Sequence, residues 1–216
     1  MFRTERSNAR ARTLLLGTAL VLIAASPALA GGGNVLPPTA QPKGYSLADA
    51  AAAEAYFNTG DRSPGTLPQD FPFVILNRRP TGNTFVVSPG TMFYVPLVWF
   101  DDSPPIIGNF PDVTDPEAVA HYYFDPDQLG AVSLEIAVDG VVTELTPGYV
   151  AGAVVPGLPT GGNNYTVAAA FLTPLSKGTH TVSIHGLFAG KDLLDFPDFF
   201  PDGIYNFSVT YTVIVR

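Results

Sequence analysis

A β-hairpin is encoded by residues 132–145, VSLEIAVDGVVTEL. Every second residue over 134–138 is apolar, and this period of two places the apolar side chains on one face of a strand. Asp139-Gly140 then supplies two residues that tolerate positive φ, as a two-residue hairpin turn requires. The register places Glu135 opposite Glu144, a like-charge pair that needs solvent on that face. The segment predicts antiparallel β structure.

The same signature recurs after residue 71, where segments rich in aromatic and β-branched residues end at Pro, Gly or Asn. These segments are 73–76, 84–87, 92–100, 165–172, 179–186 and 205–215. Pro96 cannot donate a hydrogen bond to a neighbouring strand, so we expect segment 92–100 to be an edge strand or to contain a bulge. Many short strands separated by turns predict a mostly β fold, an antiparallel, immunoglobulin-like β-sandwich.

Two short helices are expected beside the strands. Ser46 and Asp49 have the spacing of a capping box, and strong helix formers extend the pattern over residues 46–57. Asp115 and the Pro-Glu pair that follows it begin a second helix over residues 115–124. The predicted fold is therefore a β-sandwich with one or two short helices.

The first 30 residues have the pattern of a secretory signal peptide. Four arginines precede an apolar run over residues 14–25, and Ala28-Leu29-Ala30 forms a small-x-small cleavage site. The run is too short to span a bilayer. We therefore expect cleavage after Ala30 and a secreted or periplasmic protein, without a transmembrane segment in the mature chain.

Composition divides the rest of the chain into three parts. Residues 31–45 contain Gly and Pro repeatedly and are expected to form a flexible tether. Residues 46–71 hold the short helix and a loop. Residues 72–216 hold the strands and form the predicted β-sandwich domain.

Charge and cysteine content exclude several classes of function. The chain has 11 Lys and Arg against 19 Asp and Glu, a formal net charge of −8, and four of the arginines lie in the leader. Such an acidic protein repels nucleic acid and anionic membrane surfaces. The absence of cysteine excludes a disulfide framework, thiolate metal sites and a cysteine nucleophile.

Four segments resemble a group of uncharacterised exported bacterial β-sandwich proteins with a PxG, FPL, VDG and PLSPGxHTV pattern. They are Val87–Thr91, Val95–Leu97, Val138–Gly140 and Leu172–Val182, in that order. The last segment is the most specific, although Lys177 stands where that group has proline. The resemblance covers roughly residues 72–215 and implies the fold and export from a bacterial cell. It implies no active site.

Carboxylates are concentrated in two loops that carry few cations. Seven of these residues are the candidate ligands of a calcium ion: Asp101, Asp102, Asp125, Asp127, Asp195, Asp198 and Asp202. Oxygen-rich loops suit calcium, and calcium is abundant outside cells. The alternative is that these acids form turns and keep the surface soluble, which the many Asp-Pro and Pro-Asp pairs favour. Neither loop has the spacing of an EF-hand.

The three histidines do not indicate catalysis. His180 and His185 lie five residues apart in one strand and therefore point to opposite faces. We expect His180 to pair with a backbone carbonyl at the edge of the core. His121 lies in the second predicted helix, and the sequence has no Gly-x-Ser-x-Gly, His-Glu-x-x-His or phosphate-binding glycine motif. The sequence gives no support to an enzyme.

Aromatic residues near the acidic loops suggest a binding surface. They are Tyr94, Trp99, Phe100, Phe110, Tyr122, Tyr123, Phe124, Phe196, Phe199 and Phe200. Aromatic rings beside carboxylates suit a carbohydrate, because the rings stack on sugar faces and the acids accept hydroxyl protons. The alternative is that the rings seal the end of the sandwich as a second small core. Trp99 lies within a strand and is expected in the core.

These observations favour an exported, non-enzymatic binding or structural module with a carbohydrate or protein partner. One alternative is a hydrolase that uses paired carboxylates in residues 101–127. Another is a cell-surface component that associates with itself through the edge strand near Pro96. No cofactor other than the candidate calcium ion is expected.

The leader gives the first prediction. Mass spectrometry of the protein purified from its native source should find the N-terminus at Gly31, because Ala30 completes the cleavage site. An intact precursor as the dominant form would contradict the predicted export.

Overall fold

The computed structural model describes residues 33–77 and 82–216. The predicted signal peptide lies outside the described residues. The two α-helices are α1, Leu47–Thr59, and α2, Pro116–Phe124. The strands in chain order, β1 to β9, are Val74–Ile75, Thr84–Val87, Phe93–Asp101, Ala131–Val138, Val141–Glu144, Val150–Val154, Asn164–Leu172, Gly178–Phe188 and Tyr205–Val215.

The strands form two sheets, ordered β1-β3-β7-β6 and β2-β9-β8-β4-β5. If β1 and β2 are taken as two parts of one first strand, this is the A-B-E-D and G-F-C-C′ order of an immunoglobulin-like sandwich. The predicted mostly β sandwich is thereby confirmed. Large side chains from both sheets, including Phe100 and Phe188, meet between them with ring centroids 6.3 Å apart.

The sandwich is mainly antiparallel, as predicted, but it also contains two parallel pairings. β1 pairs with β3 in parallel, and β2 pairs with β9 in parallel, whereas the other five pairings are antiparallel. Parallel neighbours cannot be joined by a tight turn, so each of these pairs brings together segments that are distant in the chain. Hairpin signals in the sequence carry no information about such pairs.

The hairpin and both helix starts agree with the sequence. Glu135 pairs with Glu144, and Asp139 and Gly140 have φ of 50° and 83°. The Ser46 side chain accepts a hydrogen bond from Asp49 N, and the Asp49 carboxylate accepts one from Ser46 N, which completes the capping box. α1 ends at Thr59, two residues later than predicted.

Pro96 lies at an irregularity in β3, as its missing N–H predicts. The register with β7 shifts between Pro96 and Val98. β1 pairs only with Phe93 and Tyr94, so no strand among the described residues covers the rest of β3 on that side.

Part of the predicted flexible tether belongs to the sandwich. Val35 is buried and forms a bridge to Leu172 at the end of β7. Leu36 N donates to Phe171 O, and Thr173 N donates to Asn34 O. Residues 34–36 are therefore attached to the end of β7 by these backbone hydrogen bonds and by the bridge at Val35, and they do not form a free tether. Among the residues that the structure describes, no helix is long and apolar enough to cross a membrane.

α1 packs on the first sheet and buries a carboxyl group there. Ala50, Ala51 and Ala55 are fully buried, and their small side chains let the helix approach the strands closely. Glu54, on the same helix, is also fully buried. Its Oε1 accepts a 3.3 Å hydrogen bond from the Tyr165 hydroxyl.

A chain of buried polar groups continues from Glu54. The Tyr165 hydroxyl accepts a 2.7 Å hydrogen bond from Asn58 Nδ2, and Asn58 Oδ1 accepts one of 2.5 Å from Asn77 Nδ2. Burial away from water raises the pKa of Glu54 to about 8. The carboxyl group is therefore protonated at neutral pH.

This burial makes stability depend on pH. Between pH 4.5, the ordinary value, and about pH 8, the folded chain holds a proton that the unfolded chain has released. Since the folded state binds more protons, stability falls as pH rises through this window. Below pH 4.5 both states are protonated and the contribution is complete.

Glu54→Gln should remove this part of the pH dependence. We expect the free energy of unfolding of the variant to gain on that of the parent between pH 5 and pH 8, by up to about 1.4 kcal/mol per pH unit. Urea unfolding at several pH values measures it, with the exposed Glu117→Gln as the control. Parallel pH profiles for Glu54→Gln and the parent would show that Glu54 is ionised in the fold.

Candidate functional site

An aromatic cavity of about 570 Å³ opens at one end of the sandwich. Its wall includes seven aromatic rings, those of Trp99, Phe100, Tyr122, Phe196, Phe199, Phe200 and Tyr205. Val98–Asp101 of β3, the loop over residues 103–107 and the segment 196–205 contribute the lining. The volume lies in the range of small-molecule sites.

The position of this aromatic cavity follows from the incomplete sheet edges. β1 pairs only with the start of β3, and β2 pairs only with Thr212–Val215 of β9. The end of β3 and the beginning of β9 therefore lack a neighbouring strand on this side within the described residues. Loops with aromatic side chains pack there instead of a strand, and they leave space between them.

Ring contacts fix most of the wall. Trp99 stacks on Tyr165 with centroids 5.9 Å apart, and Tyr122 meets Phe100 edge-to-face at 6.0 Å. Phe200 is buried and lies 5.3 Å from Tyr205. A rigid aromatic wall is prepared for a ligand without rearrangement.

Phe199 is the exception, because 67% of its surface is exposed. Its ring lies 6.4 Å from that of Phe200 and forms part of the cavity wall. An exposed apolar ring on the wall of a cavity is available for contact with a partner or ligand. The alternative that the rings only seal a second small core does not account for Phe199.

One carboxylate lies on the wall. Asp101 Oδ1 accepts hydrogen bonds from Ser103 N, at 3.0 Å, and from Ser103 Oγ. Asp101 Oδ2 accepts a 2.5 Å hydrogen bond from Thr160 Oγ1. Ser103 and Thr160 come from different loops, so Asp101 joins two parts of the polar edge of the cavity.

Two loops of the site also meet at Gly108 and Asp192. Gly108 has φ of +62°, and a Cβ there would lie 1.9 Å from Asp192 Oδ2. Only glycine fits this approach without displacing the Asp192 side chain. Burial raises the pKa of the Asp192 carboxyl. The contact fixes the loop over residues 103–110 against the segment that carries Phe196 and Phe199.

The seven candidate calcium ligands are dispersed. Asp101 lies on the cavity wall, whereas Asp102 binds the next loop: its Oδ1 accepts from Asn163 N at 2.6 Å and from Asn164 N at 2.9 Å. Burial alone would raise the pKa of Asp102, but the hydrogen bonds from Asn164 and Asn163 outweigh it and hold that pKa below its usual value. The carboxylate therefore stabilises a loop connection.

The other candidates have separate surroundings. Asp125 Oδ2 lies 2.7 Å from His121 Nε2, and Asp127 Oδ1 lies 2.5 Å from Lys191 Nζ. The remaining three are exposed in the last acidic loop: Asp195, Asp198 and Asp202. Within residues 33–77 and 82–216, no three His, Cys, Asp or Glu side chains converge to hold a metal ion.

His180 and His185 lie within hydrogen-bonding distance of backbone carbonyl groups. His180 Nδ1 lies 2.7 Å from Asp139 Oδ2, and its Nε2 lies 2.9 Å from Ser176 O. The expected pairing of His180 with a backbone carbonyl is thereby confirmed. The hydrogen bond to Asp139 raises the pKa of His180. His185 Nδ1 lies 3.1 Å from Phe207 O.

Sequence reasoning missed part of the wall. The expectation that Trp99 belongs to the core is right only in part: Trp99 packs on the buried Tyr165, but it is half-buried and lines the cavity at the uncovered edge of β3. The sequence pattern indicates only that Tyr205 begins a strand, and it does not indicate that this ring lines a cavity. Tyr94 and Tyr123, expected near the loops, are fully buried in the core.

Comparisons with known proteins add little. No family model matches this chain, and no curated protein matches it. The solution structure of Amebosin is similar at 12% identity over 66% of this chain and 95% of the other, with a TM-score of 0.23. A similarity this low carries no argument about fold or function. The resemblance to exported bacterial β-sandwich proteins stays a prediction.

The dispersed carboxylates give a prediction about calcium. Thermal unfolding of the mature protein should show the same midpoint in chelator, in millimolar Ca²⁺ and in millimolar Mg²⁺, because a site of one or two carboxylates binds calcium weakly. A midpoint that rises with Ca²⁺ concentration and not with Mg²⁺ would show that the candidate aspartates bind calcium after all.

Proposed function

We propose that this chain is an exported, non-enzymatic binding module that takes its ligand into the aromatic cavity. The observation that carries the proposal is Phe199, a ring two-thirds exposed on the wall of a preformed cavity. Secretion is supported by the leader sequence. The ligand has a flat or compact apolar part, because rings form most of the wall.

The hydrolase alternative lacks support at the site. A glycosidase mechanism needs two carboxyl groups that face each other across the cleft. Asp101 is the one acidic residue among the described residues of the cavity wall, and Asp102 is bound to Asn163 and Asn164. No histidine is among the described residues that line the cavity. A binding role needs none of these groups.

Self-association through the β3 edge is also disfavoured. Pro96 and the bulge that follows it lie on this edge. Proline and bulges are devices that prevent an edge strand from pairing with another chain. The edge near Pro96 is therefore poorly suited to strand exchange between copies.

Trp99 is the only tryptophan of the chain and reports on the cavity directly. The uncharged dye Nile red should enter the cavity, gain fluorescence and quench Trp99. Phe199→Ala should weaken dye binding by about tenfold, since burying an aromatic ring contributes roughly 1.5–3 kcal/mol. Its thermal unfolding should stay close to that of the parent, because an exposed side chain contributes little to the core.

The matched control is Val142→Ala, which truncates an exposed apolar side chain on β5. It should leave dye binding unchanged. Equal affinity of the parent and Phe199→Ala would contradict the proposal, as would dye binding that leaves Trp99 emission unaffected. A panel of neutral oligosaccharides, tested by displacement of the dye, examines the carbohydrate partner that the sequence suggests.

A further inference from the structure

The polar edge of the aromatic cavity presents acceptors and few donors. The Ser103 N–H and the hydroxyl protons of Ser103 and Thr160 are donated to Asp101. Pro104 and Pro105 follow on the wall and have no N–H. A ligand at this edge therefore meets the carboxylate of Asp101 and not the donors of Ser103 and Thr160. A sugar hydroxyl both donates and accepts hydrogen bonds, and the Ser103 and Thr160 donors at this edge are already used by Asp101.

The described lining of the cavity carries a carboxylate and no cation. No Lys or Arg occurs in residues 80–176 or 192–215, and none lines the cavity among the described residues. Arg62 lines the adjoining pocket, which shares Val98, Trp99 and Tyr205 with this cavity, and Lys191 Nζ lies 2.5 Å from Asp127 Oδ1. The three donors to Asp101 are neutral, so its charge is solvated but not neutralised. Like-signed loops around a cleft concentrate cations there.

The aromatic rings of the cavity are also complementary to a cation. The face of an aromatic ring is negative and attracts a cation within about 6 Å. Trp99 and Tyr122 stand on the wall with Asp101, and the exposed Phe199 stands there too. A bare metal ion would gain little from contact with the apolar rings, and a neutral apolar molecule would gain little from contact with the Asp101 carboxylate.

We propose that the aromatic cavity binds an organic cation, an ammonium or guanidinium group attached to an apolar body. The proposal rests on the function proposed above and specifies its ligand. The charged head lies against Asp101 and the rings, and the apolar body lies against Phe196 and Phe200. The source is either a free amine or a Lys or Arg side chain of a partner protein.

The test compares a cation with its neutral isostere. Choline and 3,3-dimethylbutan-1-ol have the same shape and differ in charge, and each is titrated into the mature protein while Trp99 fluorescence is followed. Choline should bind about tenfold tighter, and its affinity should fall as NaCl is added. Nα-acetyl-lysine methylamide and its arginine counterpart, titrated in parallel, distinguish a side-chain source from a free amine.

Two variants separate the contributions. Asp101→Asn should reduce the preference for choline about tenfold and leave the neutral isostere unchanged. If that variant fails to fold, Phe199→Leu keeps an apolar side chain at an exposed position and removes the ring, and it should weaken choline alone. Asp198→Asn removes one exposed charge outside the wall and serves as the control, with a change of less than twofold.

The outcomes are separable. Equal affinities for choline and its isostere, or no binding of either, would overturn the cation proposal. If Nile red still binds in a manner that depends on Phe199, the binding function stands and only the ligand class is wrong. If Phe199→Ala also leaves the affinity for Nile red unchanged, the proposed binding function itself is contradicted.

Discussion

The first strand of this protein is divided between the two sheets, and the site depends on that division. β1 covers two residues of β3, and β2 covers four residues of β9. Among the described residues, the end of β3 and the beginning of β9 consequently have no neighbouring strand on one side. Tyr205, Phe207 and Val209 face the interior of the sandwich there but are only half-buried, whereas Tyr211 and Val213 farther along β9 are buried.

This uncovered side is filled by loops, which leave a cavity where a further strand would leave none. The loops have no disulfide to hold them, and carboxylates take that role. Asp102 binds two successive backbone amides of the β6–β7 connection, and Asp139 binds both His180 and Thr181 N. Each carboxylate accepts several charge-assisted hydrogen bonds, which are the stronger kind. Much of the acidity of the chain is therefore structural.

Local features of the fold could be predicted from the sequence, because neighbouring residues decide them. The Asp139-Gly140 turn, the Ser46–Asp49 capping box and the irregularity at Pro96 depend on backbone conformation or on a missing donor within a few residues. The parallel pairs β1–β3 and β2–β9 depend on segments far apart in the chain, and no local pattern specifies them. The same holds for Glu54, whose burial results from packing on Tyr165.

The sequence predicts the residue types of the site but not their arrangement. Aromatic and acidic residues could be recognised in the two loops, but their meeting depends on loop packing. Of the seven candidate aspartates, Asp101 lies on the cavity wall together with Trp99.

The single indole N–H signal of Trp99 in a ¹H–¹⁵N NMR spectrum provides the most direct test of this wall. Adding choline should shift that signal together with the backbone signals of residues 98–101 and 196–205. Shifts confined to the exposed β4–β5 hairpin, with the indole signal unmoved, would contradict the account.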